Sequence, residues 1–401
     1  MDALTTPLPK AWQKVRLGDI CEFGNGGAYE TLIVENGNFK LISLNSMDID
    51  GNLKNTMKRV NFYDNSLKQD DIVMVLSDVA HGDFLGLCAV IPNNDYVLNQ
   101  RMGRLRKKND CINILFLRLY INANQKYFKM QGQGSSQLNL SKKAIEDFEI
   151  LLPPLNEQIA IANVLSDVDR YLYSLDALIL KKESVKKALS FELLSQRKRL
   201  KGFNQNWQKV RLGDIAEIKR GASPRPIENP KWFCTNSNVG WVRISDISKN
   251  SRFLYKTAQK LSKKGIEKSR FIKQNSLIMS MCATIGKPII TKIDTCIHDG
   301  FVVFENPKID LNYLYYFLCY IEKEWLESGQ QGSQVNLNVD LIKNKEVFCP
   351  KDLNEQAAIA NVLSGLDSEI ISLKNKKRQF ENVKKALNHD LMSAKIRVLN
   401  K

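Results

Sequence analysis

The sequence predicts an α+β protein made by tandem duplication: a mixed α/β globular domain and a long helix, then the same pair again. The two helices are expected to pack as an antiparallel coiled coil with pseudo-two-fold symmetry. Three observations predict this. LNEQIAIANVLSDVD at residues 155–169 returns as LNEQAAIANVLSGLD at 353–367, so one chain carries the same long element twice. WQKVRLGDI at 12–20 recurs unchanged at 207–215, and SQLNL at 136–140 is answered by SQVNL at 333–337. After each LNEQ, apolar residues recur at alternating spacings of four and three, the pattern of a coiled-coil seam. The expected division is a globular domain at 1–154, a long helix at 155–201, a second globular domain at 202–352 and a second long helix at 353–401.

In the first globular segment, FGNGGAYE (23–30), DIVMVLSDVAHGDFLGLCAVI (71–91) and LNQRMGRLRKK (98–108) are apolar runs bounded by Gly, Asn and Asp, which suggests strands. The second segment offers IKRGASPRP (218–226), WVRISDI (241–247) and SLIMSMCATIGKPII (276–290). One helix is expected in each half, within 110–128 and 311–325. The repeated ends of the two segments hold while their interiors diverge, as one frame serving two different ligands would require.

Asn156 and Asn354 follow proline-containing loops and are placed as N-caps, with Glu157 and Glu355 set against the helix dipole. The seam residues are Ile161, Leu165, Val168, Leu172, Leu175, Ile179, Leu189 and Leu193, then Ile359, Leu363, Leu366, Ile370, Leu373, Phe380, Leu387 and Leu391. Each helix begins acidic and ends basic, so antiparallel packing sets opposite charges face to face. Lys182, Lys186, Lys377 and Lys384 interrupt the apolar positions. They are either lysines that snorkel out of a two-helix seam or a widened surface on which another subunit docks.

The chain has 401 residues and a net charge of +16, which suits a polyanionic partner such as nucleic acid. Its eight cysteines form no C-x-x-C pair, and no apolar run approaches a membrane span. A reduced, cytoplasmic protein is expected.

Motifs for catalysis are missing. Gly286 and Lys287 lack the upstream glycine of a phosphate-binding loop, and GNGG at 24–27 reads as a tight turn rather than a dinucleotide fingerprint. His81, His298 and His389 stand at no metal-ligand spacing, so loop or surface positions are expected for them. Neither a catalytic residue nor a metal site is assigned. Nucleic-acid contact is better supported. Arg220 and Arg225 flank a turn with Ser223, Lys287 follows a glycine in a second loop, and Arg101, Arg104 and Arg106 cluster in the first half. Arginine forks match guanine edges and phosphates. Gln133, Gln137, Gln331 and Gln334 lie in Gly-Ser-rich loops where amides could contact adenine or backbone.

Two divergent segments that open on W-x-x-V-R-L-G-D-I, close on Ser-Gln-x-Asn-Leu and precede LNEQ-initiated helices resemble the specificity subunit of Type I restriction–modification systems. R-G-x-S-P and A-T-I-G-K in the second half strengthen the resemblance. FGNGGAYE departs from it, leaving Arg220 and Arg225 without counterparts in the first half. The resemblance implies two target-recognition domains for the halves of a bipartite asymmetric DNA site. It implies helices that act as spacer and as docking surface for two methyltransferase subunits, which restriction/motor subunits then join. It further implies a non-catalytic chain that binds no cofactor itself, with S-adenosylmethionine, ATP and Mg on the partner subunits. The alternative is a coiled-coil adaptor whose basic ends bind nucleic acid without sequence preference.

Overall fold

The computed structural model describes residues 9–79, 82–249, 252–328 and 337–398. It contains two compact units, Met1–Asp176 with Asn375–Lys401, and Ala177–Lys374. Each unit thus includes part of both long helices.

In the first unit, strands Cys21–Asn25, Met102–Lys107, Ile72–Val75 and Cys88–Val90 form an antiparallel sheet in that order. The run Ile72–Val75 is buried throughout because it has a core on each face. Ile72 and Met74 pack with Phe116, Phe128, Ile161 and Leu391 on the helical side. Val73 and Val75 pack with Ile42, Tyr96 and Leu98, which belong to a second sheet of Arg59–Val60, Phe39–Ile42 and Tyr96–Leu98. The unit is therefore three layers: helices, sheet, sheet.

The second unit repeats the plan. Glu217–Arg220, Phe301–Glu305, Leu277–Ser280 and Pro288–Thr291 take the same order, extended by Phe253–Leu254. Leu277 and Met279 face one core while Ile278 faces the other. The single helix expected in each half is broken in two, into Ile114–Ala123 with Gln125–Gln131 and Leu311–Tyr320 with Glu322–Ser328.

The repeated L-N-E-Q has a physical explanation that its letters conceal. Glu157 and Glu355, each 1 % exposed, are not dipole charges in solvent. Trp12 Nε1 donates to Glu157 at 3.1 Å and Arg397 to both its oxygens, at 2.8 and 2.6 Å. Trp207 and Arg199 treat Glu355 the same way. Gln158 accepts from Asn113 N at 2.8 Å and donates to the Pro153 carbonyl at 2.8 Å, tying the cap of the short helix to the loop before the long one. Gln356 makes the same two bonds, with Asp310 N and the Pro350 carbonyl.

The long helices span Leu155–Leu194 and Leu353–Met392, shorter than 155–201 and 353–401. Each stops two residues before a left-handed residue, Gln196 (φ 61°) or Ala394 (φ 58°). Glycine is usual there, so neither stop was visible in the sequence. Asn156 and Asn354 lie inside the first turn rather than at the cap position, although Asn156 Oδ1 does accept from Glu157 N at 3.0 Å. The Pro154 carbonyl accepts from the N–H groups of Glu157 and Gln158, and Asp352 Oδ1 accepts from Asn354 N at 2.8 Å.

Antiparallel pairing holds within each unit. In the second, Lys182 meets Glu369 at 2.8 Å, Lys186 meets Asp367 at 2.5 Å and Glu183 meets Lys374 at 2.6 Å. In the first, Asp176 meets Lys377 at 2.7 Å and Asp169 meets Lys384 at 2.5 Å. The ammonium groups of Lys182, Lys186, Lys377 and Lys384 thus end on carboxylates across the seam, with about a third of each lysine side chain still exposed. Tyr171 and Phe380 fill the first unit's counterpart of the Lys182–Glu369 bridge, with ring centroids 4.6 Å apart.

Among the described residues no helix is long and apolar enough to cross a membrane, and no group of three His, Cys, Asp or Glu could hold a metal ion.

Candidate nucleic-acid interface

The candidate contact residues of the second unit gather at one end of its main sheet. Arg220 ends its strand opposite Val302, and the loop after it lies on the turn between Thr295–Ile297 and Phe301–Glu305. Gly221 N donates to the Phe301 carbonyl at 2.8 Å and Ala222 N to the Ile297 carbonyl at 3.1 Å. A Cβ on Gly221 would sit 2.0 Å from the His298 carbonyl oxygen, so only glycine allows this approach.

Asp299 is the hub of that loop, a role that no motif around it signals. Ser223 Oγ donates to Oδ1 at 2.7 Å, Arg225 Nη2 to Oδ2 at 3.0 Å, and Arg220 Nε to the Asp299 carbonyl at 2.7 Å. The Ser223 hydroxyl and the nearby Arg225 hold the Asp299 carboxyl below its usual range. Arg220 and Arg225 remain exposed, with 72 % of the Arg225 side chain open. They are oriented by fixed acceptors while their remaining N–H groups face solvent. Arg270 Nε donates to the Arg220 carbonyl, adding a further cation that was not anticipated.

His298 lies in a loop, as expected, but is enclosed there rather than at the surface. Its side chain is 13 % exposed, it packs edge-on to Phe301, and its Nδ1 accepts from Gly300 N at 2.9 Å. Burial pushes its pKa down to about 4, so it is a neutral acceptor near neutral pH. His389 is exposed, with Nε2 2.9 Å from Lys395 Nζ, and His81 lies outside the described residues.

Lys287 leaves the loop beside Ser280, at the same end of the sheet. The preceding Gly286 is needed because its φ is 76° and Trp325 packs on it. Gly86 with Phe128 repeats this in the first unit, where Leu87 takes the place of Lys287. Gln331 and Gln334 lie outside the described residues.

In the first unit Gly26 N donates to the Met102 carbonyl and Gly27 N to the Leu98 carbonyl, at 3.2 and 3.0 Å. A Cβ on Gly26 would lie 2.1 Å from the Asn99 carbonyl oxygen. Gly26 and Gly27 therefore serve close packing, not the tight turn expected of GNGG. FGNGGAYE occupies the same frame as the R-G-x-S-P loop. Gly26 stands where Gly221 stands, Glu30 where Arg225 stands, and Asn99 and Gln100 where His298 and Asp299 stand.

Arg101 is exposed on this turn, with φ 68°. Gln137 pairs with Val79 beside it, and Gln133 is exposed and bridged to Asn139. Arg104 and Arg106 do not join them. Arg104 is spent on Glu22 at 2.7 Å and the Ser66 carbonyl at 3.2 Å, leaving 14 % of its side chain exposed. Arg106 forms a bidentate pair with buried Asp71. Period-two alternation along Met102–Lys107 puts Arg104 and Arg106 on one face, which a count of arginines could not reveal.

The family model described as the Type I restriction modification DNA specificity domain matches this chain twice, at residues 9–182 and 204–382. The chain is 27 % identical to the Type I restriction enzyme MjaVIII specificity subunit of Methanocaldococcus jannaschii, over 98 % of this chain and 95 % of that protein. It is 24 % identical to the Type I restriction enzyme EcoprrI specificity subunit of Escherichia coli, over 46 % of this chain and 45 % of that one. Its fold resembles the crystal structure of a Type I restriction–modification S subunit from M. genitalium (TM-score 0.62, 15 % identity, 97 % of this chain and 98 % of that chain). It also resembles the HsdS subunit from Thermoanaerobacter tengcongensis (TM-score 0.54, 16 % identity, 98 % and 99 %).

Proposed function

This chain belongs to the Type I restriction–modification DNA specificity family as a non-catalytic specificity subunit with two DNA-recognition domains, and on that premise we propose how it reads DNA. Each globular part presents the sheet end described above to one half of a bipartite, asymmetric site. The observation that carries this is one backbone frame holding two unlike loops. The glycine, the carbonyl acceptors and the register are kept, while the exposed side chain at the loop tip changes from Glu30 to Arg225 and the turn that holds it changes from Asn99 and Gln100 to His298 and Asp299. A frame that is kept while its tips differ suits two readers of different sequence. Arg101, Gln133 and Gln137 serve the first half-site, and Arg220, Ser223, Arg225 and Lys287 the second. Arg104 drops out of the contact set because its guanidinium is tied to Glu22 and the Ser66 carbonyl and is largely buried.

The long helices dock two methyltransferase subunits, which restriction/motor subunits join. The docking surface is apolar rather than lysine-based: Leu155, Ile159 and Val383 in the first unit, and Leu180, Val362 and Ile371 in the second, are exposed on helices whose seam is already filled. In this reading S-adenosylmethionine, ATP and Mg act on the partner subunits, in the cytoplasm.

Competition binding of the methyltransferase-bound chain at several salt concentrations tests the reading. A preference of about a thousandfold or more for one duplex over random DNA is expected to survive at physiological salt. Equal affinity for all duplexes, falling steeply with salt, would instead make it a non-specific adaptor.

A further inference from the structure

The exchange of Glu30 for Arg225 at one loop position reverses the charge that the frame presents. In the first unit Asn99 Nδ2 donates to Glu30 Oε1 at 2.8 Å and Gln100 Nε2 to Oε2 at 2.9 Å. Asn99 is itself 4 % exposed, and its Oδ1 accepts from Tyr29 N at 3.1 Å. The amide that orients the carboxylate is thus fixed by the backbone of the same loop. The Gln100 and Asn99 donors hold the Glu30 carboxyl below its usual range, so it is ionised, and it stands exposed.

An oriented anion at the tip of a DNA-binding loop repels phosphate. It is tolerated only opposite a donor, and the bases offer exocyclic amino groups, N4 of cytosine and N6 of adenine in the major groove. Arg225 at the matching position, steered by Asp299, has the complementary preference for O6 and N7 of guanine.

We infer that Glu30, positioned by Asn99 and Gln100, is a specificity-determining residue of the first domain that accepts from the amino group of a cytosine or adenine, and that Arg225, positioned by Asp299, reads guanine from the same loop position in the second. The inference rests on the family reading above. The contact types differ in what they predict. A base contact gives discrimination at one position, whereas a phosphate contact gives uniform loss of affinity.

The test maps the methylated motif of the complete complex, formed with its methyltransferase subunits, for the wild type, Glu30→Ala, Glu30→Gln, Arg225→Ala and Arg225→Gln. Glu30→Gln keeps the side-chain shape without the charge, Arg225→Gln keeps a polar but shorter and uncharged side chain, and both cover the case of an Ala variant that folds poorly. Thermal unfolding of each variant is read alongside. Each substitution is expected to relax one position in one half of the motif, with roughly ten- to hundredfold weaker discrimination there and the other half unchanged. A wild-type split motif that persists unaltered in the folded variants would overturn the loop assignment and leave the family reading standing. Loss of affinity without change of motif would also overturn it, because that is the signature of phosphate contact. A wild type that directs no motif despite active methyltransferase would remove the proposed DNA reading and this inference with it.

Discussion

Arg199 places its guanidinium across both carboxylate oxygens of Glu355, at 2.9 and 2.7 Å from Nη2, while Glu355 is 1 % exposed and also accepts from Trp207. The same triad stands in the first unit as Arg397, Glu157 and Trp12. A buried charge of this kind is neutralised by its partners, and removing one partner strands it.

Arg199→Ala is therefore expected to destabilise the second unit by about 3 kcal/mol, since it leaves a desolvated carboxylate with one neutral donor. Urea unfolding of the variant beside the wild type measures this. Arg199→Ala with Glu355→Gln should recover much of the loss, because the orphaned charge is then gone.

Gly26→Ala and Gly221→Ala each force a Cβ to about 2 Å from a backbone carbonyl oxygen. Backbone yields less readily than a side chain, so each should cost at least 1–3 kcal/mol. Each should also lower DNA affinity by misplacing its loop. Gly365→Ala, where a Cβ would meet nothing within 4 Å, is the control and should be neutral or slightly stabilising.

The pH dependence of stability has a worked sign at His298. Its folded pKa is about 4 against an ordinary 6.5, first because burial disfavours the imidazolium, with Asp299 opposing and Arg243 reinforcing that. Above pH 6.5 the ring is neutral folded and unfolded, and it contributes no slope. Between 6.5 and about 4 only the unfolded chain takes the proton, so stability falls as pH falls. A penalty on the order of 2–3 kcal/mol builds up across that window. His298→Phe should flatten the profile there, and an unchanged slope would assign it to other groups.

Lys384→Ala should cost below about 1 kcal/mol, because its bridge to Asp169 is partly solvated. Lys384→Glu should cost more by setting like charges together, and Asp169→Lys should rescue it. Urea midpoints of the single and double variants check this coupling.

The sequence showed the architecture because duplication is written in letters. The repeated W-Q-K-V-R-L-G-D-I and L-N-E-Q segments mark the units, and apolar spacing marks the long helices. Charge order along the helices foretold antiparallel pairing, and Lys186–Asp367 and Lys384–Asp169 realise it in separate units. What stayed hidden depended on proximity between distant segments. Glu157 read as a dipole charge because Arg397 is 240 residues away. Arg104 read as a free reader because its partner Glu22 sits on a neighbouring strand. Asp299 and Glu30 were passed over because a carboxylate on a basic protein signals nothing until the loop around it is seen.

The most direct measurement is long-read sequencing of N6-methyladenine in DNA from cells that express the methyltransferase subunits with and without this chain. The account predicts a split motif with two unlike halves that appears only when the chain is present. Methylation that is independent of the chain, or no motif in the presence of active methyltransferase, would contradict it.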